Sequence, residues 1–174
     1  SHAVLALRDK GWPVVVVDNL STGFRWAVPE DVPFVEADIG DASAMDALLS
    51  AHNIGAIVHF AGSIIVPESV EQPLKYYKNN TANTRTLLEC AVKGGVSHFL
   101  FSSTAATYGI PQSVPIAEDA PKAPINPYGM SKLMTEFMLA DVAQAHPLNF
   151  CALRYFNVAG ADPAGRSSQS AAGA

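Results

Sequence analysis

The chain has 174 residues, 49% of them hydrophobic, and a formal net charge of −5. That length and apolar content suit one domain with a real core and exclude a disordered chain. The acidic balance, with no cluster of Lys or Arg, argues against nucleic acid or an anionic membrane as partner.

No apolar run approaches the roughly 18 residues of a membrane span, and no stretch reads as a signal peptide. A cytoplasmic protein is therefore expected. Cys90 falls in a helical pattern and Cys151 in a strand pattern, and each reads as a small buried hydrophobe rather than a disulfide partner. The five histidines have no ligand spacing, so no metal is expected.

In chain order, the first pattern is helical, over 2–10. A short apolar strand follows at 14–17 and ends in Asp18-Asn19. A carboxylate at such a strand end can accept hydrogen bonds from a ribose 2′-hydroxyl and repels a 2′-phosphate, which favours NAD over NADP. Asp is equally a turn former. A second strand at 33–36 leads to Asp38-Ile39, suited to an adenine edge and an apolar wall, although a turn explains it as well. A helix is predicted at 43–52. The strand at 56–60 ends in Phe60-Ala61-Gly62, where small residues permit close approach of a flat ligand or simply a tight turn.

The helix predicted at 80–93 stops at Gly94-Gly95. A strand at 98–101 runs into Ser102-Ser103-Thr104-Ala105-Ala106-Thr107-Tyr108, a hydroxyl-rich segment on the side where such sheets bind ligands. Residues 110–126 carry four prolines and read as a loop. A long helix is predicted at 127–145, with Asn126 as N-cap, Pro127 in the first helical position and Pro147 beyond its end. Along it Met130, Leu133, Met134, Phe137, Met138 and Val142 recur at helical spacing and are expected to face the sheet. The last strand is predicted at 150–153, and residues 159–174 read as irregular.

Short, nearly continuous apolar strands alternating with helices predict strands buried on both faces. The fold class is α/β, a doubly wound Rossmann-like parallel sheet.

The candidate chemistry lies at Tyr128 and Lys132, four residues and one helical turn apart. The positive end of the helix dipole and the lysine cation both favour a phenolate over a phenol, as a general base at neutral pH requires. Such spacing also arises by chance on one helix, and it gains weight from the hydroxyl-rich strand end at Thr104 and the early strand-end Asp18.

Several strings carry a resemblance: DNLSTG at 18–23, VHFAG at 58–62, PESVEQPLKYYKNN at 67–80, FSSTAATYG at 101–109 and LRYFNVAGA at 153–161, together with the Tyr-x-x-x-Lys pair. From Ser1 to about Gly165 the chain resembles the extended short-chain dehydrogenase/reductases, and within them the NAD-dependent nucleotide-sugar epimerases and dehydratases. The resemblance implies NAD as cofactor and a UDP-sugar as substrate. It places Asp18 and Asn19 on the adenosine ribose and Asp38 and Ile39 on the adenine. Phe60, Ala61, Gly62 and Asn79 line the cofactor, with the Ser102 backbone and Phe156 near the nicotinamide. Thr104, Tyr128 and Lys132 form the catalytic group, which also touches cofactor and sugar, and Asn157 reaches the substrate diphosphate.

Related dehydratases carry an acidic residue or pair just after the Thr, whereas Ala105 and Ala106 here cannot move a proton. The expected reaction is interconversion of UDP-glucose and UDP-galactose at C4 through a transient 4-keto sugar, as in galactose metabolism. Epimerisation of a UDP-pentose, UDP-N-acetylhexosamine or UDP-uronic acid is the alternative, and the residues sizing the sugar pocket are expected mostly past 174. A non-catalytic NAD or sugar-nucleotide sensor is the rival from another class, and its expected mark, loss of Tyr128 or Lys132, is not found.

The resemblance further implies that the glycine-rich phosphate loop and first strand precede Ser1 and that most of the substrate domain lies beyond the last residue. On this reading 1–158 is a truncated NAD-binding domain and 159–174 the start of the substrate region, and the 174-residue chain by itself is expected to bind NAD weakly and lack activity. Ile64 stands where some members carry a lysine near the cofactor. A homodimer through helices flanking the sheet is expected for the full-length protein.

Overall fold

The structure, a computed structural model, describes residues 1–167. The expectation of irregular chain at 159–174 therefore lies partly outside the described residues. Two compact units divide the chain: residues 1–38 with 157–167, and Ile39–Phe156.

In the first unit, helix α1 (His2–Asp9) precedes strand β1 (Val16–Asp18), a 3-10 turn (Arg25–Ala27) and strand β2 (Phe34–Glu36). The two strands pair in parallel, Val16 opposite Phe34 and Asp18 opposite Glu36. Strand β1 thus begins two residues later than predicted. The Pro33 carbonyl accepts from the Val16 amide at 2.9 Å, but proline has no N–H with which to carry the ladder further back. Arg166 ties the later segment to α1 by donating to Asp9 at 2.7 and 2.9 Å, and it also bonds Asp162.

The second unit holds helix α2 (Ala42–His52), strand β3 (Ala56–His59), helices α3 (Val66–Glu71) and α4 (Pro73–Tyr76), and a π-helical turn (Tyr77–Ala82). Helix α5 (Asn83–Lys93), strand β4 (His98–Thr104), a 3-10 turn (Ala105–Tyr108), helix α6 (Pro127–Ala145) and strand β5 (Asn149–Tyr155) complete it. Strands β3, β4 and β5 form a parallel sheet in that order. All strand pairing is parallel, as the alternating pattern predicts, and it falls into two sheets among the described residues.

Four expectations need correction. Helical structure before 83 starts at 66 rather than 80, because Pro73 begins a new helical segment instead of ending one. Strand β4 runs three residues past its predicted end, with Ser102, Ser103 and Thr104 laddered to Leu153, Arg154 and Tyr155; polar side chains do not prevent backbone pairing. The strands of the second unit are not buried on both faces. His59, Phe99 and Phe101 are buried on the side of α5 and α6, but Val58, Leu100 and Cys151, cross-strand neighbours in one row, are exposed. Cys151 is therefore not the buried hydrophobe expected, whereas Cys90 is buried.

The fourth correction concerns α6. Leu133 is buried, but Met134 and Phe137 are 41% and 57% exposed. The buried face instead carries Gly129, Ser131, Lys132, Thr135, Glu136 and Leu139. Polar groups can occupy a buried helix face when each finds a partner, and each polar group here does.

Candidate functional site

Helix α6 starts where Asn126 caps it, its side-chain oxygen accepting from the Gly129 amide at 2.8 Å. Tyr128 thus stands in the first turn, next to Gly129. A Cβ added at Gly129 would lie 2.7 Å from the Ala106 carbonyl. The first turn of α6 therefore packs backbone to backbone on the 3-10 turn that follows Thr104, and the absence of a side chain at 129 allows it. Thr104 is itself buried, and its hydroxyl oxygen accepts from the Ala106 amide at 3.2 Å, capping that turn.

Lys132, one turn beyond Tyr128, is 2% exposed and donates from Nζ to the Ser102 carbonyl at 3.0 Å. Its ammonium also lies 5.0 Å from the Phe101 ring centroid, within cation–π range. Burial pulls the Lys132 pKa down to about 8. A Cβ at Gly62, whose φ is +150°, would come within 3.5 Å of Lys132 Nζ and 2.9 Å of Asn80 Oδ1. The strand ends of β3 and β4 and the start of α6 thus converge on the lysine, with a glycine where a side chain would crowd it.

Asn80, in the π-helical turn, holds this convergence together. Its amide oxygen accepts from the Ser63 amide at 2.7 Å, and its Nδ2 donates to the Ser63 carbonyl and the Ser131 hydroxyl. Ser131 in turn donates to the Tyr128 carbonyl at 2.7 Å. The π-helical geometry, often found at functional positions, leaves the Asn80 carbonyl to accept from the hydroxyls of Thr84 and Thr135. Neighbouring Asn79 donates to the Ser63 hydroxyl at 2.9 Å.

A second tyrosine packs against Tyr128. Tyr76 lies edge-on to Tyr128, with ring centroids 6.4 Å apart. It is fully buried, and its hydroxyl donates to the Ile65 carbonyl and the Glu68 carboxylate. Burial and the Glu68 carboxylate push its pKa up to about 12, so it stays a phenol.

Below the lysine, His59 stacks on Phe101 and its Nε2 lies 2.8 Å from the Thr84 hydroxyl. That hydroxyl donates to Asn80, so His59 Nε2 bears the hydrogen and donates to Thr84. Burial, with help from the Lys132 charge, pulls the His59 pKa down to about 3 and keeps the ring neutral.

In the first unit, Asp18 Oδ1 accepts from the Leu20 amide at 2.7 Å, while Leu20 adopts φ +55°. Asn19 accepts from the Ser21 amide and donates to Asp38 at 3.1 Å. The loop folds tightly over the carboxylate: a Cβ at Gly23 would lie 2.8 Å from Asp18. The structure thus brings Asp18, Asn19 and Asp38 together, and Asp18 does form a turn.

Ile39 is buried in the second unit. Phe60 and Ala61 are exposed just past β3, and Ile64 is 68% exposed. Phe156, just past β5, and Asn157 are exposed as well. Among the described residues no cluster of His, Cys, Asp and Glu could hold a metal ion. In the first unit the strand-end carboxylates suit ribose hydroxyls, and in the second the glycine after β3 and the buried ammonium suit close approach of a flat cofactor.

Sequence reading missed Asn80, Ser131, Tyr76, Glu136 and Arg154. Only Glu136 left a signal, standing one turn after Lys132 on the same helix face.

A family described as "NAD dependent epimerase/dehydratase family" matches residues 1–172. The chain is 59% identical over 169 residues to a UDP-glucose 4-epimerase of Azospirillum brasilense, covering 97% of this chain and 49% of that protein. The crystal structure of UDP-glucose 4-epimerase from Brucella ovis in complex with NAD superposes with a TM-score of 0.95 at 44% identity, over 98% of this chain and 52% of that one. A UDP-N-acetylglucosamine 4-epimerase from Methanobrevibacter ruminantium superposes with a TM-score of 0.84 at 31% identity, over 92% of this chain and 52% of that one. The chain spans about half the length of the relatives it matches.

Proposed function

Because this chain belongs to the NAD dependent epimerase/dehydratase family, we propose that the protein containing it epimerises UDP-glucose and UDP-galactose at C4, as in galactose metabolism. The observation that carries this reading is the buried Lys132, one turn after Tyr128 and bonded to the strand that ends at Thr104. It is supported by the names of the relatives and by Ala105 and Ala106, which offer no acid or base for eliminating water.

NAD, when bound, supplies the hydride acceptor and donor. Tyr128, as phenolate, takes the proton from the sugar 4-hydroxyl and returns it after the 4-keto sugar has turned over. Thr104 hydrogen-bonds the same oxygen. Lys132 stabilises the phenolate and offers N–H donors to the nicotinamide ribose. Asp18, Asn19, Asp38 and Ile39 hold the adenosine half. Phe60, Ala61, Gly62, Asn79, the Ser102 backbone and Phe156 line the remainder, and Asn157 reaches the substrate diphosphate.

The whole protein is proposed to be cytoplasmic; among the described residues no helix is long and apolar enough to cross a membrane. It is proposed to form a homodimer without nucleic acid, through a surface that includes exposed Met134 and Phe137 on α6. The 174 residues alone are proposed to be inactive. UDP-N-acetylhexosamine is the second substrate reading, favoured by the similarity to a UDP-N-acetylglucosamine 4-epimerase.

The test is the complete protein assayed with UDP-galactose and UDP-N-acetylgalactosamine. Tyr128→Phe is expected to keep bound NAD and lose about 10³-fold in kcat. Near-normal turnover by that variant would remove Tyr128 as the base.

A further inference from the structure

Behind the reacting groups lies a buried ionic cluster that the proposed chemistry does not use. Glu136, 6% exposed, is one turn beyond Lys132 on α6. Arg154 on β5 grips it with two guanidinium nitrogens: Nε lies 3.0 and 3.2 Å from the two carboxylate oxygens, and Nη2 lies 2.8 Å from Oε2. The first oxygen also accepts from the Ser103 hydroxyl at 2.5 Å. The remaining nitrogen, Nη1, donates to the Tyr108 hydroxyl at 2.7 Å and to the Glu118 carbonyl at 3.1 Å. The guanidinium also sits 5.2 Å from the Tyr108 ring centroid.

Each partner lies on an element that carries or supports a reacting group. Ser103 immediately precedes Thr104 and follows Ser102, whose carbonyl holds Lys132. Glu136 belongs to the helix of Tyr128 and Lys132. Tyr108 closes the 3-10 turn on which Gly129 rests, and Glu118 lies in the 110–126 loop that leads into α6. The elements bearing Thr104, Tyr128 and Lys132 thus meet on one planar cation.

We propose that Arg154 is a positioning residue for the Tyr128–Lys132–Thr104 group, acting through Glu136, Ser103 and Tyr108; this rests on the proposed epimerase reading. A planar fork fixes two carboxylate oxygens in direction as well as distance, and lysine, a point cation on a flexible stem, cannot reproduce this. Buried charges of this kind are weak evidence of added stability but fix geometry when every member is satisfied. Displacing a reacting group by about 1 Å can cost roughly a hundredfold in rate, so a small slip of α6 against β4 shows in turnover before it shows in folding.

The experiment uses the complete protein with Arg154→Lys, Tyr108→Phe and a Tyr128→Phe control. Bound NAD, kcat and KM for UDP-galactose are measured well below each melting temperature, with hydrogen exchange of the 129–132 amides as a readout that needs no substrate. Arg154→Lys is expected to lower kcat about 10- to 100-fold, leave KM within about twofold, retain NAD and quicken that exchange. Tyr108→Phe, which keeps the ring and removes one partner of the guanidinium, is expected to lower kcat about threefold with the same pattern. If Arg154→Lys does not fold, Tyr108→Phe decides by whether its kcat falls.

Wild-type kcat and exchange in the variants overturn the inference, as does a loss of kcat that only tracks lost NAD. If the parent protein does not turn over UDP-galactose, the proposed function fails instead, and the exchange measurement still decides the positioning.

Discussion

The two regions that carry candidate site residues are built by different means. Around Asp18, side-chain bonds run between residues two apart and lie at or near the surface, Asp18 to Leu20 and Asn19 to Ser21, with a longer link from Asn19 to Asp38. Around Lys132 five bonds join residues 17 to 55 apart in sequence, and all five are wholly or partly buried. Turn chemistry shapes the first region, and tertiary packing shapes the second. Substitutions in the first should change ligand affinity with little effect on folding, whereas in the second they should lower the rate, with a loss of stability wherever a buried group is left without its partner.

The largest expected effect tests the buried character of the second region through pH. His59 titrates at about 3 when folded and near 6.5 when unfolded. Between those values the unfolded chain binds more protons, so stability rises with pH there and is lost as pH falls from 6.5 towards 3. The loss amounts to at most roughly 4–5 kcal/mol for one such group. Denaturant titrations of the parent and His59→Gln across that range should show the acid loss shallower in the variant by about one proton. Parallel curves would mean that the ring is not held neutral.

Next is Gly109→Ala. Gly109 has φ +65°, and a Cβ there would lie 1.9 Å from the Ala123 carbonyl. Forbidden space and an unfavourable backbone region together should cost about 3 kcal/mol, read as a drop in denaturation midpoint. An unchanged midpoint would show that the 110–126 loop yields freely.

Lys132→Met should lower kcat about a hundredfold, near 2.7 kcal/mol, by removing the buried ammonium one turn after Tyr128. Because the lysine charge is buried, the same variant should also lose the rise in stability expected of the parent above about pH 8. A variant with normal kcat would separate the buried lysine from the chemistry.

The smallest effect belongs to the first region. Asp18→Asn keeps an oxygen for the Leu20 amide but removes the charge, and should weaken NAD about tenfold while narrowing discrimination against NADP. Its melting temperature should stay within a degree or two of the parent. A large fall would erase the contrast between the two regions.

Local punctuation was legible in the sequence, and long-range pairing was not. Asn126-Pro127 and Pro147 bracketed α6 correctly because capping and proline chemistry act over a few residues. Tyr128 and Lys132 could be paired through helical period alone. The direction in which α6 faces could not be read, since apolar Met134 and Phe137 mark an exposed side and the buried side is polar. Its polar residues are tolerated there only because of partners far away in the chain, such as Arg154 on β5 and Asn80 in the π-helical turn. Strand β4 was cut short for a related reason: Ser102 to Thr104 read as a hydroxyl-rich segment past the strand's apolar run, but their backbones complete a ladder.

The π-helical turn at Tyr77–Ala82 acts as a rotational offset in the chain. An α-helix advances each residue by about 100° and 1.5 Å. Rewinding its six residues as ordinary α-helix, without removing any, would swing all of the helix before it, Tyr76 included, through about that angle relative to Asn83 and the rest of α5. Tyr76 would then no longer meet the ring of Tyr128 edge-on. The wide winding of this turn is therefore as much a determinant of the site as any side chain in it.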